Sequence, residues 1–269
     1  MMRRLIASGA IISVFLAMPA YAQVPMAMDT PMVMETPMAM EPPVAGSIPY
    51  LGGMPPVMDQ SITSHFLLEQ NEGRFDGRGT DYRWEARGWI GTDYDKFLFK
   101  TEGLRTRKGA VEDSQQTLLY SRAISTYFDL QGGVRADVDS RTGRTWGAFG
   151  FQGLAPNWFD VEAMAYISDR GHLALRLAAS YDLQLTQRLI LQPQIEMNLY
   201  SQDDPGRLVG SGLSNIEAGV RLRYEITRKF APYIGVHYEG RFGRTATLVR
   251  RDGDNPNAVA FVFGVRSWF

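Results

Sequence analysis

The 269-residue sequence has no cysteine and only three histidines, His65, His172 and His237. Without cysteine there is no disulfide, no thiolate metal site, no cysteine nucleophile and no lipidated N-terminus. No His-x-His or His-Glu-x-x-His spacing occurs, so imidazole metal motifs are missing too. Net charge is nearly absent, with 28 Lys and Arg against 29 Asp and Glu. Nothing electrostatic therefore points to a nucleic-acid partner. There is no Gly-x-Ser-x-Gly elbow and no phosphate-binding glycine loop.

Apolar runs of membrane-helix character are also missing after the first residues. The single N-terminal run, Leu5 to Met18, follows Arg3 and Arg4 and precedes Pro19 and Ala20-Tyr21-Ala22. It is too short for an anchor, and the small-residue end reads as a secretory signal cleaved after Ala22. The expected organisation is a signal peptide over 1–22, a tail over 23–62 and a folded domain over 63–269.

The tail has no Lys, Arg or His, and it holds eight of the 14 prolines. Proline at that density blocks helix interiors and strand ladders, so a disordered or polyproline-like tether is expected. What it does contain is methionine. A six-residue unit repeats three times, giving Met26 and Met28 with Asp29, Met32 and Met34 with Glu35, and Met38 and Met40 with Glu41. Met54 and Met58 follow at looser spacing. Thioether sulfur is a soft ligand that favours Cu(I), and a Met-x-Met pair in extended chain projects both sulfurs to one side.

From Ser64 onward proline becomes rare and apolar residues alternate with polar ones. Leu189, Leu191, Pro193, Ile195, Met197 and Leu199 alternate with Ile190, Gln192, Gln194, Glu196 and Asn198. Val259, Phe261, Phe263 and Val265 alternate with Ala260, Val262, Gly264 and Arg266. A period of two means strands. Twelve are expected, over 64–75, 81–92, 95–105, 114–124, 128–138, 144–153, 159–167, 172–183, 187–200, 214–226, 230–242 and 258–269. Their length suits a tilted strand that crosses a bilayer rather than a soluble sandwich. Short turns alternate with longer loops, such as 201–213 and 243–257. That asymmetry, with aromatics near the short turns (Tyr127, Phe128, Trp158, Phe159, Phe230, Tyr233, Trp268) and an aromatic C-terminus, predicts an all-β class. The fold expected is a transmembrane antiparallel up-and-down barrel in the outer membrane, with both termini in the periplasm. Outer-membrane lipid would be its surroundings. A soluble sandwich is the plainer alternative.

With the apolar set facing lipid, the lumen receives Glu69, Lys100, Glu102, Arg122, Arg135, Arg176, Gln192, Gln194, Glu196, Glu217, Arg221, Arg223, Glu225, His237, Glu239 and Arg241. Acids and arginines are similar in number, so mutual pairing is expected, with Glu69, Glu102, Glu196, Glu217 and Glu239 as candidates for a polar path. His65 and His237 are the candidate imidazole ligands for copper. Two other functions fit a barrel of this size: a lipid-modifying enzyme of the phospholipase A type, and a passive pore for small solutes. For the enzyme, His172 and Ser180 are too far apart along one strand to share a hydrogen bond.

The segments Gly91-Thr92-Asp93-Tyr94-Asp95-Lys96, Leu119-Tyr120-Ser121-Arg122-Ala123-Ile124, Tyr127 to Arg135 and Gln152-Gly153-Leu154-Ala155-Pro156 resemble the copper resistance protein B family. So do Leu185 to Pro193, Gly219 to Ile226, Phe230-Ala231-Pro232-Tyr233 and the closing Gly264 to Phe269. The resemblance runs from Ser64 to Phe269. It implies a copper-binding outer-membrane barrel that is not an enzyme, with a periplasmic Met-rich N-terminal segment and a periplasmic multicopper oxidase as companion. That segment often also carries histidine. This tail has none, which narrows the expected cargo there to Cu(I) on thioethers.

Overall fold

The computed structural model describes residues 61–138 and 143–269. The signal sequence, the tail and Met26, Met28, Met32, Met34, Met38, Met40, Met54 and Met58 lie outside the described residues.

The described chain is one antiparallel meander. Its strands are β1 (Thr63–Phe75), β2 (Thr80–Gly91), β3 (Asp95–Arg105), β4 (Val111–Ala123), β5 (Phe128–Asp137), β6 (Arg144–Ala155) and β7 (Phe159–Ser168). β8 (Leu173–Ser180), β9 (Leu183–Gln184), β10 (Leu189–Tyr200), β11 (Gly212–Tyr224), β12 (Phe230–Arg241) and β13 (Asn257–Trp268) follow. β9 is a two-residue continuation of β8 along β10, so the wall has twelve staves. The sheet closes on itself because β13 pairs with both β12 and β1. Closure leaves no exposed strand edge, the condition for placing a sheet in hydrocarbon.

Alternation explains the wall. Phe97, Leu118, Val134, Phe149, Ile234 and Val236 each leave more than half of their surface exposed. Their neighbours one residue away face inward. Among the described residues no helix is long and apolar enough to cross a membrane. A closed barrel with an apolar outside and a charged inside fits a protein that crosses a membrane by its strands.

All twelve expected strands are present, with ends shifted by three residues or fewer. Several details differ from expectation. The 243–257 connection is not plain loop: it holds helix α1 (Gly243–Arg251), which buries Thr245, Ala246 and Val249. Arg122 does not enter the lumen. Its side chain is 69% exposed on the outer rim, 3.9 Å from Asp95. Tyr233 is not part of an outer aromatic belt, because it is buried and its hydroxyl donates to Glu72 at 2.9 Å. Trp268 also leaves the belt, turning inward to stack on His65.

The interior is not uniformly polar. Leu98, Leu119, Trp146, Ala148, Met164 and Tyr166, on β3 to β7, form a buried apolar cluster. It fills the space inside β3 to β7, with the Arg135 guanidinium packed over the Trp146 and Tyr166 rings at 5.7 and 4.8 Å.

Candidate functional site in the barrel lumen

A β-bulge organises the charged groups. On β1 the pairing with β2 shifts between Leu68 and Gln70, and that with β13 shifts between Leu68 and Glu72. The extra residue reverses the alternation, so that Glu69 lines the central cavity together with Gln70 and Arg74. Glu72, just beyond, is 1% exposed. Its carboxylate accepts from Arg74 Nε at 2.9 Å and from Arg221 Nε at 3.0 Å and Nη2 at 2.9 Å, besides the Tyr233 hydroxyl. Gln70 Oε1 accepts from Arg221 Nη2 at 3.1 Å and Arg74 Nη2 at 3.4 Å. Two buried arginines thus share one buried acid, the geometry that lets such charges remain in a dry interior.

The five glutamates expected in the lumen are all there. Glu196, Glu217 and Glu239 stand directly opposite one another across β10, β11 and β12. Glu85 and Glu102 stand opposite each other across β2 and β3. Like charges in register repel, and the arginines offset this. Arg176 bridges Glu102 and Glu196, Arg83 holds Glu102 at 3.0 Å, and Arg241 holds Glu239 at 2.9 Å. Glu69 pairs with Arg87 at 3.5 Å, and Lys100 with Glu162 at 2.6 Å.

His237 is 3% exposed beside Glu217. Its Nε2 lies 3.0 Å from Arg74 Nη1 and 3.4 Å from Glu217 Oε2. The Arg74 guanidinium and the Glu217 carboxylate thus meet at the same ring nitrogen. His65 lies at the short-turn mouth. Its ring is sandwiched between Trp89 and Trp268, with centroids 6.2 and 5.6 Å away. Lys96 and Lys229 cap the outer faces of these two indoles at 5.6 and 5.2 Å. The two candidate histidines are therefore not brought together. His172 and Ser180 stand at opposite ends of β8, roughly 25 Å apart at the rise of an extended strand.

Sequence reasoning missed Glu72, Arg74, Arg83, Glu85, Arg87 and Glu162. The bulge hid the first two. A parity change was nevertheless visible: after residue 69 the charged side chains fall on even numbers, Glu72 and Arg74, while Gly73 and Phe75 take the outside.

The lumen is a series of chambers. One of about 410 Å³ at the short-turn mouth is lined by His65, Trp89 and Lys96. One of about 100 Å³ lies at Glu69, Glu85 and Glu217, and one of about 310 Å³ at the long-loop mouth holds Asp76 and Arg107. Outside the strands, Arg107 and the backbone N–H groups of Arg78 and Gly79 hold the Asp76 carboxyl down at about 2. Among the described residues no three His, Asp or Glu side chains are placed to hold a metal ion. The lumen carboxylates are engaged by arginine rather than arranged as a cage.

The family model described as "Copper resistance protein B precursor (CopB)" matches residues 62–269. Copper resistance protein B of Escherichia coli is 43% identical over 213 residues, covering 79% of this chain and 72% of that protein. The copper resistance protein B homolog of Pseudomonas syringae pv. tomato is 44% identical over 213 residues, with the same two coverages, 79% and 72%. Among solved structures, the NanC porin superposes with a TM-score of 0.50 at 14% identity, over 74% of this chain and 98% of that one. That likeness concerns the fold alone. The family match begins one residue before β1 and ends with the chain, so it spans every stave, both mouths and the paired charges between them: the protein belongs to the copper resistance protein B family.

Proposed function

We propose that this protein binds copper in the outer membrane and serves copper resistance by sequestering or exporting the ion. The observation that carries the reading is the period-six Met-x-Met repeat, found in a chain of this family. Thioethers are soft ligands that favour Cu(I). Asp29, Glu35 and Glu41 would partly neutralise the bound charge. The ligands proposed are Met26, Met28, Met32, Met34, Met38, Met40, Met54 and Met58, with His65 as an additional donor. Both faces of the His65 ring are covered by indoles, so only its nitrogen edge is available. His237 is a poorer donor to a cation. Arg74 and Glu217 crowd its Nε2, and the residue is 3% exposed.

The apolar outer wall suits lipid, and the alternation of short turns with longer loops supports a periplasmic short-turn end. The tail would then be periplasmic, where a multicopper oxidase is the natural partner for a Cu(I) donor. Glu69, Glu102, Glu196, Glu217 and Glu239 give the lumen its polar lining. No step of the reading needs a catalytic residue or a nucleic acid.

The test is the copper content of the full-length protein, purified after exposure to Cu(I) and reductant, beside a variant with all eight tail methionines changed to leucine. Loss of copper from the variant, with the barrel still resistant to detergent at room temperature, supports thioether binding. Equal copper in both proteins overturns it.

A further inference from the structure

The connection between β10 and β11 turns into the barrel. Arg207, Leu208 and Val209 line a chamber of about 80 Å³ whose other walls include Glu102 and Glu217. Two ion pairs hold this loop from within. Arg207 Nη2 reaches Asp137, 1% exposed, at 3.1 Å, and Asp204 meets Arg144, 4% exposed, at 2.7 Å. Asp137 is a fixed acceptor, already held by Arg135 at 2.8 Å and by Trp146 Nε1 at 2.8 Å.

Helix α1 holds the loop from the other side. The Gly210 N–H donates to Thr245 Oγ1 at 2.8 Å, and Ser214 Oγ shares that hydroxyl at 3.0 Å. A Cβ at Gly210 would stand 2.4 Å from Arg244 Cβ, so only glycine lets loop and helix meet this closely. Asp203 accepts from the Ser211 N–H at 2.7 Å and pairs with Arg244 at 3.2 Å. The Ser211 N–H, and then Arg244, keep the Asp203 carboxyl below its ordinary range.

The chambers on either side communicate through shared walls. Arg87, Gln152 and Asp160 line both the short-turn vestibule and the central chamber. Arg83, Glu196 and Glu217 line both the central chamber and the one beside the loop. Glu239 and Arg241 line both that chamber and the long-loop one. Polar chambers follow one another from mouth to mouth, and the loop stands in the penultimate one.

We propose that the 203–211 loop is a latched plug that closes the long-loop mouth of a conduit for small cations, with α1 as its backstop. Arg207–Asp137 and Asp204–Arg144 are the latches. Cations are the fitting class because the chamber beside the plug has five carboxylates against three arginines. Opening swings the loop outward and breaks both ion pairs together. The inference rests on the barrel spanning a membrane and is independent of copper.

The experiment is single-channel recording of the full-length protein in planar bilayers with potassium chloride. The parent should pass little current. Asp204→Asn with Arg207→Gln should raise it severalfold, and the reversal potential in a salt gradient should report cation preference. A latch variant with parental current overturns the plug. If the latch variant does not insert, Leu208→Cys alone decides in vesicles. Modification by a charged maleimide should be far slower than at Asp254→Cys, and equal rates overturn the proposal. Protease protection checks insertion separately, so failure of the membrane reading is distinguishable from failure of the plug.

Discussion

Changing Glu72 to glutamine removes one charge and almost no volume, at the point where the charged network of the lumen is most tightly knit. The carboxylate accepts four hydrogen bonds, three of them from guanidinium groups. Hydrogen bonds to charged groups are worth about 1.5–3 kcal/mol each, so a simple sum would reach roughly 6–12 kcal/mol. The sum overshoots, because the amide keeps one oxygen that still accepts. What it loses is the countercharge. Arg74 and Arg221 have side chains only 9% and 3% exposed, and water cannot replace the missing anion there. Removing one partner of a buried ion pair costs about 3–5 kcal/mol, and that is the expected loss. The control is Glu239→Gln, where Glu239 and Arg241 are 23% and 27% exposed. Partly solvated pairs contribute about 0–1 kcal/mol. Urea unfolding in phospholipid vesicles, followed by tryptophan fluorescence, reads both. Equal shifts for the two variants would refute the idea that burial sets the worth of these pairs.

Three further outcomes are expected. The Asp76 carboxyl is depressed to about 2 by Arg107 and the two turn N–H groups, so its stabilisation is complete above the unfolded value near 3.8 and is lost as pH falls toward 2. The difference in unfolding midpoint between the parent and Asp76→Asn should therefore shrink from pH 5 to pH 2, and a constant difference argues against it. In Gly103→Ala the new methyl would stand 2.2 Å from the Trp84 ring lying across that position, so displacement of the indole should cost about 1–3 kcal/mol, with a shifted Trp84 indole N–H resonance. Met164→Ala empties a site that is 1% exposed within the apolar cluster and should cost about 2–5 kcal/mol in the same urea assay.

The wall was legible in the sequence because alternation has one physical meaning. Leu189 to Leu199 and Val259 to Val265 must present one face to the outside of the wall, whatever the rest does. The same logic failed wherever a backbone irregularity intervened. At Glu69 the bulge shifts the phase, so Glu72, the hub of the lumen, could not be read from strands counted in a single register. Arg122 was a miscount of parity rather than an irregularity: it follows the buried Ser121, so alternation turns it outward, to a rim where an arginine is solvated. Helix α1 was hard to see because Gly243 to Arg251 has three arginines and one glycine, and of its apolar residues only Ala246 and Val249 are buried. The copper ligands are the reverse case. The methionine repeat is plain in the sequence and owes nothing to the barrel's register.

The seam of the barrel has a kinetic consequence. Phe66 and Phe269 exchange both of their backbone hydrogen bonds, at 3.1 and 2.9 Å, so the first strand is zipped to the last residue of the chain. Every other neighbouring pair of staves can form locally, turn by turn. This one must bring together the two ends of the described sequence and bears the largest loop-closure entropy. Until β13 arrives, β1 and β12 each offer an open edge to any passing strand. The residues of β13 are thus the ones that end the aggregation-prone interval of assembly. Removing them should leave a chain that is slow to mature and sticky, although most of its strand pairs can still form.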